Sequence, residues 1–217
     1  MRKVYVDANV FQISVTHRPS EVAHHVFWGG RLHTWIARVM TPWHPREAWL
    51  REQAAALVFV GEQARRGRLK LLTGPEVRFE TFFLTHGRLA WTSASSFAGA
   101  AVESVTPPFY LDRIFIAHDD QRGDAAARRD VALSRTDDER FNQLKQAAGG
   151  NKDADAYHIR CAEHAKAEFF LTVDKKLKNS LVKQRRVSLR TTVLFPTELV
   201  ELLEPTGRDP SGSFLTC

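Results

Sequence analysis

Cysteine is scarce in this chain: Cys161 and Cys217 are its two, and neither stands in a ligand-type pair. That argues against a disulfide framework or a cysteine-rich zinc site, and for a reducing, cytoplasmic setting. No apolar run reaches the roughly 20 residues a membrane span needs, so no membrane partner is expected. The N-terminus enters a strand almost at once, and no signal peptide is expected. Nine histidines, among them His24, His25, His33 and His44, form no defined zinc ligand set. No internal repeat and no linker splits the chain.

The 217 residues present suit one domain with insertions, long enough to bury a core without staples. Hydrophobic residues make up 43% and charged residues 26%, an ordinary globular balance. The net charge of +6 and a pI near 9.6 favour phosphate-bearing partners modestly.

Along the chain, residues 3–7 form a short buried strand, and 8–14 a loop entering a helix. Residues 20–66 read as mostly helical, broken by Pro42 and Pro45, with a second helix at about 46–66. Residues 69–73 are a strand, and Pro75 opens a helix to about Thr85. Residues 86–135 are an elaboration, with one strand-like run at 113–117 and a charged, alanine-rich 119–130 stretch. A helix over 137–148 ends at Gly149-Gly150-Asn151. Then follow a helix at 155–166, strands at 169–173 and 191–195, and a last helix at 198–203 capped by Thr197. The whole is one domain over 1–205, elaborated at about 20–66 and 86–135, with a tail at 206–217. Strands alternating with helices predict an α/β fold on a parallel sheet.

Asp7 and Asp174 each follow an apolar strand, so both are expected beyond the carboxyl ends of that sheet, where sites form. Asp155, near a helix start, joins them; capping is its plainer role, as turn or cap duty is for the other two. Three carboxylates in one crevice repel: at about 4 Å, roughly 4 kcal/mol at an effective dielectric near 20. They call for a divalent cation, or for a raised pKa on one acid.

The opening Val4-Tyr5-Val6-Asp7-Ala8-Asn9-Val10, the tract from Asp155-Ala156-Tyr157-His158 to Phe170-Leu171-Thr172-Val173-Asp174, and the closing Thr192-Val193-Leu194-Phe195-Pro196-Thr197-Glu198-Leu199 resemble the signatures of PIN-domain nucleases. The matched stretches cover about a third of the chain, at both ends and in family order. The resemblance implies a three-layer α/β/α fold with helical insertions. It implies a metal-dependent endoribonuclease in which Asp7, Asp155, Asp174 and a helix-borne glutamate hold Mg²⁺ or Mn²⁺. Glu80 is preferred over Glu76 for that glutamate. Asn9, Asp153 and Thr172 are the supporting residues. Hard oxygen ligands suit those ions, which activate water and neutralise phosphate charge. RNA is the implied partner, with an antitoxin where the chain is half of a toxin–antitoxin pair, and a homo-oligomer is expected. Toxin halves are shorter than this chain, which leaves an RNA-processing or defence nuclease beside the toxin reading.

Lys175, Lys176 and Lys178, then Arg185 and Arg186, stand where a phosphate backbone would pass. Arg65, Arg66, Arg68 and Lys70 read better as a solvated face. Trp28, Trp35, Trp43 and Trp49 read as core or oligomer face ahead of base stacking. His158 shares a helix face with Asp155 and is expected to pack or support. Three rivals remain: a PIN-like binding module without catalysis, a flap-type DNA nuclease, and a haloacid-dehalogenase-like phosphatase. The last needs an acid where Asn9 stands.

Overall fold

A computed structural model describes residues 1–83, 87–111, 122–149, 153–183 and 187–204. The described strands are β1 (Arg2–Val6), β2 (His17–Trp28), β3 (Arg31–Pro42), β4 (Leu69–Thr73), β5 (Val102–Ser104), β6 (Phe169–Leu171) and β7 (Thr192–Leu194). The described helices are α1 (Ala8–Ile13), α2 (Ala48–Arg65), α3 (Pro75–Phe83), α4 (Arg122–Ser134), α5 (Glu139–Ala148), α6 (Asp153–His164), α7 (Lys175–Lys183) and α8 (Pro196–Leu203).

Val4, Tyr5 and Val6 are wholly buried. A run buried on both faces belongs in the middle of a parallel sheet. β1 lies there, between β4 and β6, in a five-stranded parallel sheet of order β5-β4-β1-β6-β7. Helices flank this sheet, which makes the architecture α/β. Register pairs Tyr5 with Leu72 and Val6 with Leu171. The carboxyl ends of three central strands therefore fall on one edge. After β1 the chain builds outward through β4 and β5, then returns to the other side for β6 and β7. The strand order reverses between β1 and β6, the kind of point where open sheets hold ligands.

Leu71, Phe170, Leu171, Ile159 and Leu144 fill the core, and Tyr5 stacks on Phe170 at 5.6 Å. Each such side chain contributes about 1.5–3 kcal/mol. Two glycines permit close approach. A Cβ at Gly61 of α2 would meet the Ser96 carbonyl oxygen at 2.2 Å, and one at Gly74 the Tyr5 hydroxyl at 2.3 Å.

Residues 20–66 are not mostly helical. His17–Trp28 and Arg31–Pro42 form a two-stranded antiparallel ribbon, joined by Gly29 and Gly30 at φ 60° and 77°. Two consecutive positive φ values are the mark of a tight hairpin turn, open to glycine. Val22/Val26 and Leu32/Ile36/Met40 recur every four residues. A spacing of four fits one helix face, but it is also twice the strand period. Helix α2 does occupy the second half, at Ala48–Arg65.

Smaller corrections follow. Ala8–Ile13 is already helix rather than a loop. Thr197 does not cap α8. The cap is Phe195, whose N–H donates to Glu198 Oε2 at 2.7 Å, with Pro196 at the first helical position. Thr197 donates instead to Gln53 Oε1 at 3.2 Å. Within the 86–135 elaboration, Val102–Ser104 adds an edge strand and Arg122–Ser134 a helix. The 113–117 run, Gly150, Asn151, and the 206–217 tail lie outside the described residues.

Candidate active site

Asp7 stands where β1 ends and caps α1, its Oδ1 accepting the Ala8 N–H at 2.8 Å. Its other oxygen accepts the Thr172 hydroxyl at 2.9 Å. The same Thr172 oxygen accepts the Asp174 N–H at 3.1 Å. Asp174 Oδ1 in turn accepts the Leu177 N–H at 2.8 Å, capping α7. One buried hydroxyl thus ties the two strand-end acids together. The capping roles expected of both are real, and leave each acid its position on the carboxyl edge.

Glu80 on α3 and Asp155 on α6 approach from the flanking helices, and their charges reach Asp7. Glu80 also pairs with His158 and Arg129. Glu76 is buried along a cleft of about 450 Å³, with Pro75, Phe79, Ser104 and Tyr157. Burial pushes the Asp7 carboxyl up to about 6, with Asp155 and Glu80 adding to the rise; His158 and the Thr172 hydrogen bond oppose it.

Two cations balance the acids. His158, 2% exposed, sets Nε2 3.3 Å from Glu80 Oε2. Burial pulls its imidazole down, but Glu80, Asp7 and Asp155 outweigh this and carry it up to about 9. Arg129 of α4 ion-pairs with the other Glu80 oxygen. Sequence reasoning gave His158 a packing or supporting role and gave Arg129 none. The spacing of Asp155 and His158 on one helix face signals the first. Nothing in the alanine-rich run around Arg129 signals the second.

The remaining expected residues fall as follows. Asn9 is exposed in α1. Asp153 ion-pairs with Lys145 at 2.8 Å. Lys175 lies 3.7 Å over the Trp49 ring, Lys178 ion-pairs with Glu198, and Lys176 is exposed. Arg185 and Arg186 lie outside the described residues. Of the second basic group, Arg65 holds the Ala98 carbonyl at 2.9 Å and Lys70 pairs with Glu103 at 2.7 Å, both structural contacts.

Carboxylate oxygens are the donor type a hard divalent ion takes. Among the described residues no three acids, histidines or cysteines converge as a metal-ligand set, and Glu80 faces Arg129 and His158. Among the described residues no helix is long and apolar enough to cross a membrane. Comparison with protein-family models, with curated proteins and with solved structures finds no match to this chain.

Proposed function

We propose that this chain is a metal-dependent endoribonuclease of PIN-like fold. The observation that carries the reading is the pair Asp7 and Asp174 at the strand-order reversal, tied through Thr172, with the charges of Asp155 and Glu80 adding to the rise that burial gives Asp7. Acids this coupled attract a divalent cation, and oxygen donors suit Mg²⁺ or Mn²⁺. The carboxylates of Asp7, Asp155 and Asp174 would hold it, and it would supply an activated water and charge neutralisation at the scissile phosphate. Thr172 orients Asp7 by its hydrogen bond, as supporting groups around metal ligands do. Arg129, the α4 cation beside Glu80, is positioned to balance charge as a phosphate arrives.

Asp7→Asn and Asp155→Asn should each lower Mn²⁺-dependent cleavage of an RNA oligonucleotide about a thousandfold. Cleavage at the parental rate in both variants would sink the reading. A PIN-like binding module without catalysis is the second reading. Its support is that His158 and Arg129 already neutralise Glu80 without a metal. RNA binding with no cleavage at any Mn²⁺ concentration would decide for it. A phosphatase reading is weaker, since exposed Asn9 stands where its second acid belongs.

A further inference from the structure

The β2–β3 ribbon has two faces of different chemistry. Cross-strand partners share a face, and side chains alternate along each strand. On one face register places Trp28 beside Arg31, His33 beside Val26, and His24 beside Trp35, with Arg18 nearer the root. No acid stands on it: Glu21 is on the opposite face, 3.4 Å from Arg38. Trp28 is 74% exposed and Trp35 50%, which removes the core half of the core-or-oligomer-face expectation for both.

The rings are paired and upright. His24 stacks on Trp35 at 5.4 Å and 14°, and Trp28 leans on His33 at 6.0 Å. The two tryptophan sites are four residues apart in register, about 13 Å along a ribbon about 40 Å long. At the root, the Arg18 guanidinium lies 3.3 Å over the Trp43 ring, and its buried Nε has no hydrogen-bond partner.

A free two-stranded ribbon is marginal in water, so a face this large and aromatic is built to be covered. Two arginines, Arg31 and Arg18, on a face with no acid favour a polyanion. Exposed rings take unstacked bases, which a single strand offers and a duplex keeps within its stack. We infer that the cationic, aromatic face of the β2–β3 ribbon, carrying Trp28, Arg31, His33, His24 and Trp35, binds single-stranded nucleic acid. The inference rests on the nuclease reading only for what the bound strand is used for. Stacking and phosphate contacts do not read the sugar, so RNA and DNA strands should bind within about threefold of each other.

The test is fluorescence anisotropy of labelled single-stranded RNA and DNA oligonucleotides with the full chain, in EDTA so that nothing is cut. Trp28→Ala and Trp35→Ala should each weaken binding about tenfold or more. Arg31→Ala should make the slope of log affinity against log salt shallower by about 0.7. These side chains are exposed, so an unchanged circular dichroism spectrum accompanies the expected loss. Unchanged affinity in the tryptophan double variant overturns the inference. So does a double variant that passes from dimer to monomer in sedimentation with affinity intact, which assigns the face to a second copy of this chain. Asp7→Asn, run in parallel, separates the two proposals. If it cuts like the parent, the nuclease reading falls and the binding result stands. If it is inactive yet binds, both stand.

Discussion

At the carboxyl edge of the sheet Asp7, Asp174 and Glu80 are each committed to a neighbour, while along the β2–β3 ribbon most side chains stand exposed. Asp7 touches Ala8 and Thr172 and feels Asp155, Glu80 and His158. Trp28, Phe27, Leu32 and Ile36 are all more than half exposed. The edge therefore couples chemistry to stability, and the ribbon separates them. A change at the edge should alter both, and a change on the ribbon should alter binding alone.

The largest break should come from a buried network at the opposite end of the sheet, beside the starts of β6 and β7. Arg140 pairs with Glu163, whose side chain is wholly buried, through bonds of 2.6 and 2.8 Å. Arg140→Met strands that charge and should cost about 3–5 kcal/mol in urea unfolding. A loss below about 1 kcal/mol would mean that Glu163 is held by its bond from the Arg190 N–H alone.

Next in size is the pH dependence of the edge. His158 has a raised folded pKa, near 9 against an ordinary 6.5. Its stabilisation is present in full below 6.5 and is lost as pH rises to about 9. The sum is about 3 kcal/mol. Asp7 also has a raised pKa, so the folded state loses stability as pH climbs from about 4 to about 6. Urea midpoints should fall between pH 6.5 and 9, and His158→Gln should flatten that slope. A parental midpoint that rises over this range contradicts the assignment. Asp7→Asn, inactive in cleavage, should be more stable than the parent at pH 8, because a buried charge is gone.

Gly61→Ala drives a methyl into the Ser96 carbonyl and should cost about 1–3 kcal/mol. The smallest effect sharpens the contrast: Ile36→Thr on the ribbon, 66% exposed, should shift stability by less than about 0.5 kcal/mol. A larger loss in a concentration-dependent melt would mean that a second copy covers that side.

The central strands were legible because a parallel strand buried on both faces must be continuously apolar, as Val4-Tyr5-Val6 and Phe169-Phe170-Leu171 are. Asp7 and Asp174 followed from where those runs stop. The ribbon was not legible by apolar spacing, since a four-residue interval serves both periods. Gly29-Gly30 between two runs rich in valine, histidine and tryptophan was the signal for it. Helix α7 was missed because its start is lysine-rich and its cap is Asp174, read first as chemistry. Arg129 reaches Glu80 across 49 residues, and no local pattern encodes a contact made only by folding.

Thr172 also works as a setting screw on an acid that belongs to another strand. Its hydroxyl proton is spent on Asp7, and its oxygen is occupied by the Asp174 N–H. The donated bond steadies the Asp7 carboxylate, so the pH at which Asp7 gives up its proton is written partly in residue 172. Serine there would keep the setting. Valine, nearly the same size, would move it upward and also release the Asp174 backbone. The pH midpoint of any Asp7-dependent activity thus takes a small trim from the residue just after β6, one that leaves every acid in place.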